Sequence, residues 1–221
     1  LLLAIDQGTQ SARALLFDLD GNLVAKSKVA IEPYFSAQPG WAEQHAEVFW
    51  NAICQACQDL WRTSGVDRSR VKGVALTTQR TTMVNVDANG EVLRPAIIWL
   101  DQRQATQLPP LPLWVDAMFT ALGERDTLHY FRTQAECNWL AQHQPDTWRR
   151  TDKFLLLSGW LTAQLCGRYV DAVASQVGYL PFDFRRRDWA RDADPINSWK
   201  WQALCVERRQ LPELVAPGGL L

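Results

Sequence analysis

The sequence predicts an α/β fold in which a mixed sheet is flanked by helices. Three short apolar segments at the start of the chain are separated by turn residues, and a long amphipathic segment follows them. Apolar, β-branched segments and further helical segments come next. This order of strands, helix, strand and more helices is typical of a sheet with helices packed on its faces.

The first three apolar segments predict an antiparallel meander. They cover residues 1–6, 12–18 and 23–31, and residues 18–22 form a turn cluster of Asp, Gly and Asn between the second and the third. Turn residues of this kind mark tight connections. Strands joined by such short connections pair as antiparallel neighbours.

The rest of the chain predicts three helices and three more strands. Residues 43–62 have apolar side chains at steps of three and four, with Gly65 just beyond, which is typical of a helix and its end. The other predicted helices cover residues 134–142 and 152–166, with Gly167 after the second. The predicted strands cover residues 71–77, 83–86 and 97–100, with a hairpin-type turn at 87–90.

Composition and charge favour a soluble protein that binds a small polar ligand. Of 221 residues, 47% are apolar and 21% charged, and the net charge of −1 favours neither a nucleic acid nor a membrane as partner. No signal peptide or 18-residue apolar run is present, and five scattered cysteines fit reduced thiols in the cytoplasm.

Cys54 and Cys57 form a C-x-x-C inside a predicted helix, which favours helix packing over metal or redox chemistry. Both ends of the chain read as cut, because it starts inside a strand without Met.

The connection between the first two predicted strands suits phosphate binding. Gly8 allows a tight turn and a close approach of the backbone to a ligand. Backbone N–H groups and side-chain donors follow it at three positions, which are Thr9, Gln10 and Ser11. A plain polar turn fits the same residues. Neither a P-loop nor a dinucleotide-binding glycine motif occurs in the sequence.

Two charged residues flank this turn. Asp6 ends the first predicted strand, where its carboxylate could hold Mg²⁺ directly or through water. Arg13 could bind phosphate oxygens through its fork of N–H donors. A solvated arginine is the plain alternative.

Several motifs together resemble the FGGY carbohydrate kinases, the family of glycerol kinase and xylulokinase. The first is residues 4–13, A-I-D-Q-G-T-Q-S-A-R, followed by P-G-W-A-E-Q at 39–44, T-Q-R-T-T at 78–82 and I-I-W-L-D-Q-R at 97–103. Weaker matches lie at residues 153–157, 165–167, 171–175 and 211–218. Each motif is short, but their common order extends over nearly the whole chain.

The resemblance implies a fold, cofactors and a phosphate site. The fold would be ribonuclease-H-like, as in the actin and hexokinase type of ATPase, and residues 1–221 would be the amino-terminal domain, with the carboxy-terminal domain absent from this chain. ATP and Mg²⁺ would take part in phosphorylation of a sugar or polyol hydroxyl. The resemblance assigns the metal to Asp6 and the ATP phosphates to four residues, namely Thr9, Gln10, Ser11 and Arg13.

The resemblance also implies substrate-binding residues. Arg80 would bind substrate hydroxyls, and Thr81 stands where glycerol kinases have Glu, which argues against glycerol itself. Trp99 would pack on the carbon backbone of the substrate, with plain core packing as the alternative. Asp101 and Arg103 would pair at the pocket rim. Tyr130 would touch substrate, although its spacing to the following Trp is one residue longer than in the family.

The catalytic base of such enzymes lies in their second domain, so we expect it beyond Leu221, and the isolated chain should turn over negligibly. The expected partner is a small sugar or polyol, and a homodimer is left open.

Two alternative functions remain: a non-catalytic sugar or nucleotide-binding module on the same fold, and a nuclease of the same broad fold. A nuclease needs clustered carboxylates for two metals, and only Asp6 is suitably placed.

Overall fold

The computed structural model describes residues 1–194 and 197–219 of the chain. The strands are β1 Leu2–Gln7, β2 Ser11–Phe17, β3 Leu23–Ala30, β4 Glu43–Gln44, β5 Gly73–Thr78, β6 Met83–Val86, β7 Ala96–Ile97, β8 Lys153–Leu156, β9 Val170–Ala172, β10 Phe182–Asp183, β11 Asp188–Trp189 and β12 Glu213–Val215. The helices are α1 Ala46–Ser64, α2 Leu113–Ala121, α3 Arg125–Gln134, α4 Glu136–His143, α5 Pro145–Arg150, α6 Leu157–Cys166 and α7 Trp199–Ala203. No helix in the described parts of the chain is long and apolar enough to span a bilayer.

The first sheet has the strand order β3-β2-β1-β5 and is mixed. The predicted meander is confirmed, since β1 pairs antiparallel with β2 and β2 with β3. β5 then pairs parallel with β1 after the crossover through α1. Crossovers of this kind are how a parallel neighbour is reached.

α1 covers one face of this sheet. Its buried residues recur with helical spacing, and they meet the inward side chains of β1 and β2, where every second residue is buried. Gly65 ends α1 with φ 64°, a left-handed conformation that glycine adopts without strain. Cys54 and Cys57 lie within this helix as free thiols, and burial raises the pKa of Cys57 to about 11. This placement agrees with the prediction that the two cysteines pack within a helix and do not bind a metal or form a redox pair.

The second sheet has the order β4-β7-β6-β8 and lies between two hydrophobic cores. Val84, Val86 and Leu155 belong to the core shared with the first sheet and α1. Met83, Phe154 and other alternate residues belong to a second core, which also contains α4. Because successive strand residues point to opposite faces, the short strands of this sheet are buried on both sides.

Three predicted elements are wrong in detail. Glu43 and Gln44 form β4 and do not begin the helix, which starts at Ala46. The strand predicted over 97–100 ends at Ile97, because the amide of Asp101 closes a turn onto the carbonyl of Ile98 at 2.9 Å. The helix predicted over 152–166 begins only at Leu157, because the residues before it pair with β6 as β8. In both mispredicted helices, tertiary pairing overrides a compatible helical pattern.

The helix predicted over 134–142 is confirmed in position, as α4, but it starts after a break at Ala135. The Asn138 amide group stabilises this break by donating to the carbonyl of Arg132 at 2.9 Å. The carboxy-terminal part adds the parallel pair β9 and β12 and the antiparallel pair β10 and β11. Leu220 and Leu221 lie outside the described residues.

Candidate active site

The loop between β1 and β2 is short and tightly closed. The amide of Gly8 donates to the carbonyl of Ser11 at 3.0 Å. A Cβ atom at Gly8 would lie 3.3 Å from the same carbonyl oxygen, which is a close contact for any other residue. The space at this position therefore favours glycine, in agreement with the tight turn that the sequence predicts.

A row of polar and charged side chains crosses the open face of the first sheet. Asp6 lies opposite Arg13 on β2 and Thr77 on β5, and Arg13 lies opposite Lys28 on β3. Arg13 donates from Nη1 to Oδ2 of Asp6 at 2.5 Å, and both side chains remain well exposed. This row therefore presents two cations beside one carboxylate.

The loop and two residues of this row, Arg13 and Lys28, border a cleft of about 860 Å³. Its lining includes all four residues predicted to bind phosphate, together with Lys28, Tyr34 and Trp99. Backbone amides, hydroxyls and two cations are donors that suit phosphate oxygens. The sequence analysis did not identify Lys28, because only the strand register of the folded chain places it opposite Arg13.

The surroundings of Asp6 agree with its predicted role as a magnesium ligand. Its side chain is 36% exposed and adjoins Arg13, which lines the cleft. Mg²⁺ keeps several waters and is commonly held by one or two carboxylates plus phosphate oxygens, so one carboxylate is enough. Among residues 1–194 and 197–219 no group of three or more His, Cys, Asp or Glu could hold a metal by itself.

A second, smaller pocket of about 240 Å³ lies next to this cleft. Four separate chain segments contribute its walls, at positions 81, 97–103, 134–136 and 179. Its polar and aromatic lining consists of Thr81, Trp99, Asp101, Arg103, Gln134, Glu136 and Tyr179. Small cavities with an aromatic wall and a few convergent polar groups are typical of small-ligand sites.

Trp99 lines both cavities. The turn after β7 places it at the surface, where the residue is 52% exposed, so plain core packing does not describe it. Its indole Nε1 donates to Oγ1 of Thr9 at 2.9 Å, and this hydroxyl donates to Oε1 of Gln79 at 2.6 Å. Trp99 thus connects the phosphate-side loop to the smaller pocket.

Thr81 lines the smaller pocket, and the backbone of this residue is strained. Its φ is 52°, in the left-handed region that β-branched residues rarely adopt. Such strain costs about 1–3 kcal/mol and concentrates at functional positions. This observation adds independent weight to Thr81 as a ligand-contacting residue.

A buried ion network supports the floor of the smaller pocket. Asp101 receives hydrogen bonds from Nε and Nη2 of Arg103, at 2.7 and 2.6 Å. Glu43 pairs with Arg94 and with Nη1 of Arg103. The Arg103 guanidinium also packs against the rings of two tryptophans, 4.0 Å from the centroid of Trp41 and 4.6 Å from that of Trp139. The predicted pairing of Asp101 with Arg103 is confirmed, but both side chains are buried and do not form an open rim of the pocket.

Glu136 begins α4 and is partly exposed to the pocket. Burial is the main cause that raises the pKa of its carboxyl group to about 7, and the negative charge of Asp101 adds to it. Hydrogen bonding to its own backbone amide and the charge of Arg103 act in the opposite direction. The carboxyl group therefore changes protonation near neutral pH.

Two predicted substrate residues lie outside the lining of this pocket. Arg80 is exposed and donates to the carbonyl of Ala174 at 3.4 Å, beside a different groove. Tyr130 is 58% exposed and interacts electrostatically with Tyr179, which does line the pocket. Their roles stay predictions.

Sequence reasoning missed three lining residues, which are Gln134, Glu136 and Tyr179. Gln134 and Glu136 flank the break between α3 and α4, and Tyr179 comes from an irregular segment. No spacing connects these positions with Thr81 or Trp99, so only the folded chain brings them together.

The family model for the amino-terminal domain of the FGGY carbohydrate kinases matches residues 1–218. The chain belongs to this family. Curated relatives include the glycerol kinase of Ligilactobacillus salivarius, 29% identical over 98% of this chain and 42% of that protein. The glycerol kinase of Dechloromonas aromatica is 31% identical over 85% of this chain and 39% of that protein.

Solved structures of FGGY relatives have the same fold. A xyloylose kinase from Brucella ovis superimposes with a TM-score of 0.77 at 24% identity, over 96% of this chain and 42% of that one. A Plasmodium falciparum glycerol kinase with ADP gives a TM-score of 0.67 at 21% identity, with coverages of 96% and 42%. The predicted α/β, ribonuclease-H-like fold class is confirmed. The chain spans about two fifths of the length of the relatives it matches.

Proposed function

We propose that this chain is the amino-terminal domain of an enzyme that uses ATP and Mg²⁺ to phosphorylate a hydroxyl group of a sugar or polyol. The observation that carries the proposal is the position of Trp99, which lines both the phosphate-side cleft and the small pocket. A hydroxyl held in the small pocket would be a neighbour of a phosphate held by the loop. Phosphoryl transfer depends mainly on such positioning and on charge neutralisation.

In this proposal the loop holds the terminal phosphates of ATP. Backbone amides and hydroxyls of Thr9, Gln10 and Ser11 would donate to phosphate oxygens, and Arg13 and Lys28 would offset their negative charge. Mg²⁺, held through Asp6 and water, would neutralise charge on the phosphates when bound. The hydroxyl oxygen bonds to the γ-phosphorus, the bond to the ADP oxygen breaks, and a base accepts the hydroxyl proton.

Arg80, Thr81, Trp99 and Tyr130 are the proposed substrate residues. Thr81 and Trp99 have the support of the shared pocket, while Arg80 and Tyr130 rest on the family resemblance. The catalytic base stays a prediction for a position beyond Leu221. The family model describes an amino-terminal domain and the relatives are more than twice as long, which supports a second domain as the other wall of the cleft.

We also propose a reducing, cytoplasmic location, which is supported by five free cysteine thiols. The proposed partner is a small sugar or polyol. A homodimer stays a prediction, as does the expectation that nucleic acid and membranes are not partners.

The test is ADP formation by the complete gene product that contains this chain, with Mg²⁺-ATP and a panel of polyols and ketoses. We expect sugar-dependent ADP release, and negligible release by residues 1–221 alone. Sugar or nucleotide binding without any turnover by the complete protein would instead support a non-catalytic binding module. The separate nuclease alternative lacks the clustered carboxylates that it needs in the described part of the chain.

A further inference from the structure

The small pocket contains one carboxyl group, that of Glu136, which neither the proposed function nor an ion pair in the described part of the chain uses. Glu136 contributes to its wall together with Thr81, Gln134 and Tyr179, whose side chains are uncharged. Asp101 and Arg103, the other charged lining residues, are already bound to each other through two hydrogen bonds. Glu136 thus provides the carboxyl group of this wall that stays available to a ligand.

The charges around the pocket do not balance. Three carboxyl groups, of Glu43, Asp101 and Glu136, accompany two guanidinium groups, of Arg94 and Arg103. Both guanidinium groups are occupied by Glu43 and Asp101. Among the described residues, this group of five carries one net negative charge when Glu136 is ionised, and both of its cations are already paired.

We infer that Glu136 determines the substrate class of this pocket: its carboxyl group binds a hydroxyl of a neutral polyol or sugar, and its charge excludes sugar acids. A carboxylate accepts hydrogen bonds from hydroxyl groups, and a protonated carboxyl group both donates and accepts. The volume of about 240 Å³ and the exposed ring of Trp99 fit a short polyhydroxylated chain. A carboxylate of the ligand would instead meet a like charge in a partly desolvated site, which is strongly unfavourable.

The inference rests on the proposed role of this pocket as the hydroxyl-binding site, but it concerns binding alone. The test therefore uses titration calorimetry of the complete gene product without ATP. The ligands are matched pairs in which a CH₂OH group is replaced by a carboxylate, such as glycerol and glycerate, xylitol and xylonate, and glucitol and gluconate. Each pair isolates the effect of one negative charge.

We expect the wild-type protein at pH 8 to bind the neutral member of its best pair at least about tenfold more tightly than the acid. Glu136→Gln keeps the size and hydrogen bonding of the side chain but removes its charge, and should reduce this ratio to about threefold or less. Glu47→Gln is the matched control, because Glu47 is also acidic in the first turn of a helix, but on the exposed face of α1. It should leave the ratio unchanged.

A pH series on the unaltered protein tests the same inference without a variant. The preference for the neutral ligand should increase from pH 6 to pH 8 as Glu136 loses its proton. The other groups that face Glu136 are Asp101, Arg103, Cys137 and Tyr179. Asp101 and Arg103 are paired, and burial raises the pKa of Cys137 and Tyr179 above their ordinary values, so both stay neutral over this range.

Three results would overturn the inference: equal or tighter binding of the acids by the wild type, a ratio that Glu136→Gln leaves intact, or a preference that is independent of pH. A failure of the proposed function has a different signature. In that case the neutral ligands bind with the expected preference, but ADP does not form when ATP is added.

Discussion

The two cavities at the candidate active site are built in opposite ways. The phosphate-side cleft comes mainly from residues 8–34, a continuous stretch that contains the loop at 8–13 and the strands beside it. The small pocket is assembled from four distant segments, held in place by a buried ion network. A contiguous loop can be read as a motif, whereas a pocket built from distant segments depends on the packing beneath it.

The largest expected effect concerns the buried ion network beneath the small pocket. Arg103→Met should lower the free energy of unfolding by about 3–5 kcal/mol, because it leaves Glu43 and Asp101 buried with less compensating charge. Arg125→Met is the control, since Arg125 pairs with Asp116 at the surface and should contribute about 1 kcal/mol or less. Denaturant unfolding measures both. Equal losses in the two variants would show that the ion network does not support the pocket.

The next effect concerns the phosphate-side cleft alone. Arg13→Ala in the complete gene product should lower kcat/KM for ATP by about ten- to a hundredfold, because hydrogen bonds to charged groups contribute about 1.5–3 kcal/mol. Sugar affinity should stay the same, since Arg13 does not line the small pocket. Arg62→Ala, an exposed change on α1, serves as the control in the same steady-state assay. A parallel loss of sugar affinity would contradict the separation of the two cavities.

A third effect links the small pocket to stability through pH. The folded state raises the pKa of Glu136 to about 7, above the ordinary value of 4.5, so this group disfavours folding once it is ionised. The penalty is absent below about pH 4.5 and complete above about pH 7. Glu136→Gln should therefore stabilise the protein at pH 8 by about 1–2 kcal/mol and much less at pH 5. Urea unfolding at both pH values decides this, and a destabilised variant at pH 8 would contradict it.

The smallest effect tests the link between the cavities. Trp99→Phe keeps an aromatic face but removes the N–H donor to Thr9, a hydrogen bond of about 1 kcal/mol. We expect kcat/KM to fall about fivefold. Trp114→Phe is the matched control, because Trp114 is also exposed but lines neither cavity. If both variants behave alike, the contact between Trp99 and Thr9 has no functional role.

The secondary-structure errors have the same physical origin as the missed pocket residues. Residues 153–156 have a pattern that is compatible with a helix, yet they form β8 because β6 offers them a partner strand. The strand predicted to reach residue 100 is cut short by the turn that exposes Trp99. In each case a distant partner or a local turn decides between conformations that the pattern alone allows.

The sequence by itself determined the antiparallel meander, α1 with its glycine end, and the tight loop from Gly8 to Arg13. These features depend on periodicity, turn chemistry and short-range sterics, which neighbouring residues specify. Only the tertiary structure decided that Lys28 joins Arg13, that Trp99 borders two cavities and that Glu136 faces the small pocket. Such contacts depend on strand register and on the packing of remote segments, and no local pattern in a chain encodes them.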